Sequence, residues 1–186
     1  MLNENITKRK SIREFDGEAL SEKEIISLFE AARFAPSAFN EQPWRFIAAQ
    51  KKDYEKFNTV LKTLMEKNQE WAVKSSLLVI VLAKRILSRN QNKNRHYLYD
   101  TASAVANLTF QANSLNIFVH QMGGFDSEKI VKAFNIPDDF EVATVLAIGR
   151  QAETLNIETE PVIKNRLPLK DILFENSFGN SRNFNF

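Results

Sequence analysis

Residues 77 to 83, LLVIVLA, form the longest apolar run in the chain and predict a buried strand. Around it the pattern switches between helical and alternating spacing. Ser21 and Glu24 make a capping box, and Ile25, Leu28, Phe29 and Ala32 recur at helical intervals until Pro36, which lacks the N–H a helix needs. A helix is therefore expected from 21 to about 35. Residues 46 to 49 read as a short strand, and 54 to about 65 as an amphipathic helix with Phe57, Val60, Leu61 and Leu64 inward. A polar segment rich in Asn and Arg follows from 84 to 95. Residues 97 to 115 predict a long helix rich in Ala, Ser, Thr and Asn, whose small side chains permit close approach. Strands are expected at 116 to 120 and 141 to 148, separated by Gly123, Gly124 and a short helix from 127 to 134.

Beyond residue 151 polarity rises, Pro161 and Pro168 punctuate the chain, and the end carries Phe174, Phe178, Phe184 and Phe186 among Gly and Asn. Aromatic side chains bury large areas, yet so short a tail has no core of its own. It is expected to wrap another surface, and a homodimer is the working expectation.

At 186 residues, 44% hydrophobic and 26% charged, the chain has the size and composition of one folded domain, with 167 to 186 as an extension. Its 25 basic and 23 acidic side chains nearly cancel, so no overall field directs it to nucleic acid or membrane. There is no cysteine, which removes disulfides, thiolate nucleophiles and soft metal sites. The first residues lack the apolar centre of a signal peptide, and a cytoplasmic protein is expected.

The absences narrow the chemistry further. Five glycines, none in G-x-G-x-x-G or P-loop spacing, disfavour a backbone-cradled nucleotide. Two histidines, with neither H-E-x-x-H nor G-x-S-x-G, leave zinc hydrolysis and Ser-His acyl transfer without their parts. The acidic pairs Asp138-Asp139 and Glu158/Glu160 read as solvated surface, and His120 as a structural histidine. What remains is the run Lys8-Arg9-Lys10-Ser11-Ile12-Arg13, dense in groups that hold anions, with a second basic pair at Lys164 and Arg166. Two such clusters converging on one phosphate is one reading. A basic arm for nucleic acid is another, disfavoured by the near-neutral charge and the lack of interleaved aromatics.

Five segments then occur in order: R-K-S-I-R-x-F from Arg9, A-A-R-F-A-P-S-A-F-N-E-Q-P-W-R-F from Ala31, Asn68 shortly before Trp71, G-G-F-D from Gly123, and K-N-R-L-P from Lys164. Together they resemble the FMN-dependent nitroreductase family over nearly the whole chain. The resemblance implies an α+β fold, a central mostly antiparallel sheet flanked by helices, in an interlocked homodimer whose C-terminal tail wraps the partner. It implies two FMN sites at the subunit interface. Arg9, Lys10, Ser11 and Arg13, with Lys164 and Arg166, would hold the phosphate and polar edge. Pro36, Ser37, Ala38 and Asn40 would come from the other subunit, and Asn68 would serve the pyrimidine edge. Met122, Gly123 and Gly124 would bring backbone to flavin N5, and no side chain would be a catalytic acid or base.

By the same resemblance Arg13 stabilises charge at the reduced ring, with Gly124 as backbone support. Some family members have a lysine where this chain has Trp71. Gln42, Pro43 and Trp44 are read as packing within their own loop. The expected activity is hydride transfer from NAD(P)H through FMN to a nitroaromatic, quinone or similar flat acceptor, in ping-pong order. The alternative is a flavin-binding sensor or carrier without turnover.

Overall fold

The computed structural model describes residues 2–153 and 166–181, and contacts divide the chain into two units, Met1–Leu155 and Asn156–Phe186. In the first unit the elements run α1 (Glu4–Thr7), α2 (Glu22–Arg33), β1 (Trp44–Gln50), α3 (Tyr54–Leu61), α4 (Glu66–Ala72), β2 (Leu77–Lys84), α5 (Tyr97–Ser114), β3 (Phe118–Met122), α6 (Ser127–Phe134) and β4 (Phe140–Gly149). The strands pair antiparallel in the order β1-β2-β4-β3. The expected antiparallel α+β architecture is what the chain adopts.

β2 is uniformly apolar because both its faces are covered. Leu78, Ile80 and Leu82 pack with Phe57, Val60 and Leu64, with Ala72 of α4 and with Ile130 of α6. Leu77, Val79 and Val81 pack with Leu28 and Ala32 of α2 and with Val105, Leu108 and Ala112 of α5. Three layers result, with α3, α4 and α6 on one side of the sheet and α2 and α5 on the other. Fully burying a side chain such as Leu28, Leu78 or Leu108, each 0% exposed, contributes about 1.5–3 kcal/mol, so the two clusters carry most of the fold's stability.

The capping box starts α2 as expected. Ser21 Oγ accepts from Glu24 N–H while the Glu24 carboxylate accepts from Ser21 N–H. Glu24 also pairs with Arg150, fastening the helix start to the end of β4.

Four boundaries differ from expectation, each for a tertiary reason. The helix from residue 54 stops at Leu61, because the next residues are drawn into pairing elsewhere: Asp126 N–H donates to Thr63 C=O (2.8 Å) and Met65 N–H to Gly124 C=O (3.0 Å). α4 then begins as a separate helix. The strand expected from 116 is displaced to Phe118–Met122. Asn116 takes φ 55°, and Ile117 N–H reaches back to Ala112 C=O at 2.9 Å, a left-handed close to α5 that asparagine tolerates. Residues 85–94 form an ordered excursion, with Leu87 N–H donating to Asn92 C=O and Asn94 N–H to Arg85 C=O, both at 2.8 Å. α1 was not foreseen. Asn3 caps it, and Asn113 Nδ2 of α5 donates to Asn5 C=O at 2.8 Å.

In the second unit, residues 169–171 make a helical turn and Phe174 bridges to Ser181, bringing Phe174 and Phe178 to 4.8 Å between ring centroids. Phe178 is 95% exposed. Lys164, Phe184 and Phe186 lie outside the described residues. Among the described residues, no helix is long and apolar enough to cross a membrane.

Candidate functional site

The sequence-predicted residues of the first unit gather into two sets. The first lies on the α3/α4/α6 side. Ile12 and Phe15 are buried against that layer, which fixes the backbone of the basic run while leaving Arg13 exposed between them. The Arg13 guanidinium lies 5.8 Å from the Trp71 ring centroid. Trp71 in turn stacks on Phe15 at 6.3 Å and tilts against His120 at 4.4 Å. The His120 Nδ1 lies 2.7 Å from Ile12 C=O, which can only accept, so Nδ1 carries the proton and donates. Trp71, backed by Phe15 and His120, is thus the surface beside which Arg13 lies.

The cations of this run differ in what they already hold. Lys8 is paired with Glu4 at 2.6 Å. Arg9 donates to Ser11 Oγ at 3.3 Å, and among the described residues Arg9, Lys10 and Arg13 have no carboxylate within ion-pair range. Three uncompensated cations on five residues repel one another. They suit a polyanionic ligand that would supply the missing charge.

One turn before Trp71 on α4, Asn68 donates through Nδ2 to Gly124 C=O at 3.1 Å. The same carbonyl accepts from Met65 N–H, so the segment after β3 is clamped to the start of α4 from two directions. A Cβ on Gly124 would fall 2.8 Å from Asn68 Nδ2, so any larger residue there would push the amide out of this contact. Gly123 is exposed, with nothing within 4 Å of where a Cβ would stand. Met122 differs from its neighbours: its side chain is 2% exposed in the core, and its carbonyl accepts from Thr144 Oγ1 at 3.0 Å.

The second set is the turn between α2 and β1, on the α2/α5 side, where Ala35 and Trp44 join the core. Three of its residues have positive φ: Phe39 at 55°, Asn40 at 56° and Gln42 at 47°. Internal bonds hold this shape. Gln42 N–H donates to Ser37 Oγ (3.0 Å), Gln42 Nε2 to Asn40 C=O (3.3 Å), and Arg45 to Gln42 C=O (2.9 Å). Pro43 and Trp44 are buried, but Trp44, read as loop packing, opens β1 and belongs to the α2/α5 core, so the loop's internal bonds are made by Gln42 instead. The outer anchor is Asp100, 4% exposed in the first turn of α5, whose Oδ2 accepts from Ala38 N–H at 3.0 Å. Pro36 and Asn40 remain exposed, and among the described residues the Asn40 side-chain amide has no partner.

The sheet separates the two sets. Trp44 opens β1 and Met122 closes β3, so the turn and the Met122–Gly124 segment stand at the same end of the sheet but at its opposite edges, while the basic run leads to the other end, where Phe15 bridges Gln151 just beyond β4. At about 4.8 Å per strand, three strand spacings put those edges about 14 Å apart. They also lie on opposite faces, since Ala35 and Trp44 join the α2/α5 cluster while Ile12, Phe15 and Ala72 join the other. Arg166 is exposed at the start of the described part of the second unit.

Two features escaped the sequence reading. Asp100 looked like an ordinary acidic residue in a helix's first turn, and nothing in its neighbours announced a loop 62 positions away. Arg89, whose guanidinium lies 3.7 Å from the Phe39 ring centroid, sat unremarked in the polar segment 84 to 95.

Against models of known families, residues 6–150 match the one described as the nitroreductase family. The chain belongs to the nitroreductase family. Membership makes it an oxidoreductase, and the match covers both sets of residues. A protein of Archaeoglobus fulgidus, provisionally named as an NADH dehydrogenase/NAD(P)H nitroreductase, is 29% identical over 76% of this chain and 80% of its own length. A crystal structure described as an oxidoreductase containing FMN is 33% identical, with a TM-score of 0.87 over 96% of this chain and 93% of that one. A nitroreductase from Desulfovibrio desulfuricans crystallised with FMN shares the fold, at 22% identity and a TM-score of 0.75 over 94% and 96% of the two chains.

Proposed function

We propose that two copies of this chain enclose FMN between them and pass hydride from NAD(P)H to a nitroaromatic, quinone or similar flat acceptor. The observation that carries this is the split site: cations and the Asn68/Gly124 clamp on one side of the sheet, the strained amide-bearing turn on the other. One flavin cannot be touched by both sets of a single protomer, whereas the turn of a second copy can meet the cations of the first. Exposed apolar side chains on the α2/α5 layer, with Phe34 77%, Tyr99 75% and Ile26 54% exposed, favour that association through this face. Pro36, Ser37, Ala38 and Asn40 would then be the residues contributed across the interface.

FMN fits the residues present. Arg9, Lys10 and Ser11 offer charged and neutral donors to a phosphate. Arg13, lying beside Trp71, offers a cation to the pyrimidine edge, where it would favour the anionic reduced ring. Asn68 keeps its side-chain carbonyl for an imide N–H, and the Asn40 amide supplies both a donor and an acceptor. Gly123 leaves open space at the backbone beside Gly124, and Met122 contributes through its main chain only. Bound FMN supplies the hydride relay, and the chain supplies position and electrostatics with no side-chain acid or base. Reductant and acceptor would occupy the same face in turn. The 167–186 extension, led by Phe178, would cover the partner, and a cytoplasmic setting supplies NAD(P)H.

The test is reconstitution followed by anaerobic reduction. FMN fluorescence should quench on titration, and NADH or NADPH should bleach the bound cofactor, with reoxidation by a nitroaromatic or quinone. Protein that takes up no FMN removes the proposal. Uptake without bleaching by either nucleotide leaves a flavin carrier instead.

A further inference from the structure

We infer that Phe39 and Arg89 form a recognition pair for an acceptor that is a flat ring carrying an anionic group, an aryl carboxylate in the simplest case. The inference rests on the flavin reading, because Phe39 sits between Ala38 and Asn40 in the turn assigned to the ring.

Phe39 is an unusual residue for its place. A bulky side chain at φ 55° is disfavoured, because Cβ crowds the backbone, and such positions normally fall to Gly or Asn. No burial compensates, since Phe39 is 70% exposed. The backbone strain instead presents an aromatic face at the mouth of the turn, and strain retained against stability points to function.

On that face lies the Arg89 guanidinium, 3.7 Å from the ring centroid. Arg89 comes from the ordered excursion 85–94, which is tied to the same turn by Ser88 N–H donating to the Glu41 carboxylate at 2.8 Å. That bond, with lesser help from Arg89, holds the Glu41 carboxyl below the usual glutamate range. Glu41 is the natural competitor for Arg89, yet the two make no ion pair within 4 Å. Stacking occupies a face of the guanidinium and leaves its edge of N–H donors, which have no side-chain or backbone acceptor among the described residues. An exposed cation–π contact is too weak by itself to account for the strained backbone beneath it.

An aryl carboxylate matches both halves of this arrangement. Its ring extends the aromatic stack, and its two oxygens meet the planar fork of donors. A phosphate of the nicotinamide nucleotide would satisfy the fork alone, so the experiment separates the two sources.

With FMN-loaded protein and NADH, kcat/KM is measured for 4-nitrobenzoate and for nitrobenzene in the wild type, Arg89→Ala, Arg89→Lys and Phe39→Leu. Losing one charge-assisted contact should lower the nitrobenzoate-to-nitrobenzene ratio about tenfold in Arg89→Ala. Arg89→Lys, which keeps the charge without the plane, should fall between, and Phe39→Leu should lower the ratio severalfold. Independently of turnover, benzoate titrated against the flavin absorption band should bind about tenfold more weakly to Arg89→Ala. An unchanged ratio overturns the inference, as does an Arg89→Ala effect confined to the KM for NADH. Protein that binds no FMN, or whose FMN no nucleotide reduces, sinks the functional reading beneath it. Normal reduction with no anionic preference sinks only this step.

Discussion

The segment that carries Arg9 to Arg13 and the turn from Pro36 to Gln42 solve opposite problems. The basic segment is ordered by what lies beneath it: Ile12 and Phe15 are buried, Trp71 backed by His120 lies beside Arg13, and its charges are left uncompensated. The turn is ordered from within and from behind, by Ser37, Gln42 and the Asp100 carboxylate, against three unfavourable backbone angles. One region stores unmet electrostatic attraction and the other stores conformational preorganisation. A ligand that is anionic at one end and flat at the other draws on both.

That contrast can be broken by experiment. The largest effect should come from the electrostatic side. Arg9→Ala with Arg13→Ala removes two charge-assisted contacts worth about 1.5–3 kcal/mol each, so FMN affinity by fluorescence quenching should fall by at least about a hundredfold. Stability to urea should barely move, because among the described residues neither guanidinium has an ion-pair partner to lose. If unfolding shifts as much as binding, the basic run is structural.

The turn should respond the other way. Asp100→Ala leaves the Ala38 N–H without its acceptor in a half-buried setting and should cost about 1–3 kcal/mol in urea unfolding. FMN binding should weaken with it, because the preorganised shape is what the turn contributes. Gly124→Ala tests the clamp within the first set. Its methyl would displace the Asn68 amide, and FMN affinity should drop severalfold with a stability loss of about 1 kcal/mol or less.

The smallest effect concerns pH. The hydroxyl and N–H of Ser21, helped by Arg150, lower the Glu24 pKa below the glutamate value of 4.5. A depressed folded pKa means the unfolded chain takes up the proton first. The stabilisation is complete above the ordinary glutamate range and is lost as pH falls through the lowered value. Glu24→Gln should cost about 1 kcal/mol at neutral pH and flatten the acid side of the stability profile. An acid limb of unchanged slope in that variant would assign acid sensitivity to other carboxylates.

Much of this was legible along the chain. The run 77–83 could only be a strand covered on both faces, the Ser21/Glu24 box started α2 where expected, and Pro36 closed off the helix. Those are local matters of spacing, capping and missing donors, which neighbouring residues decide among themselves. The basic run and the amide-rich turn were likewise visible as chemistry, and their resemblance to a family implied the roles proposed for them. Tertiary structure decided what no local rule can reach. It ended α3 at Leu61, because residues 63 to 65 pair with 124 to 126. It moved β3 by two residues, through the left-handed Asn116. It chose Asp100 as the anchor of a distant turn and set Arg89 over Phe39. Above all it put the two sets of site residues on opposite faces of one sheet, because side-chain direction in a strand alternates and the layers that cover each face come from far along the chain.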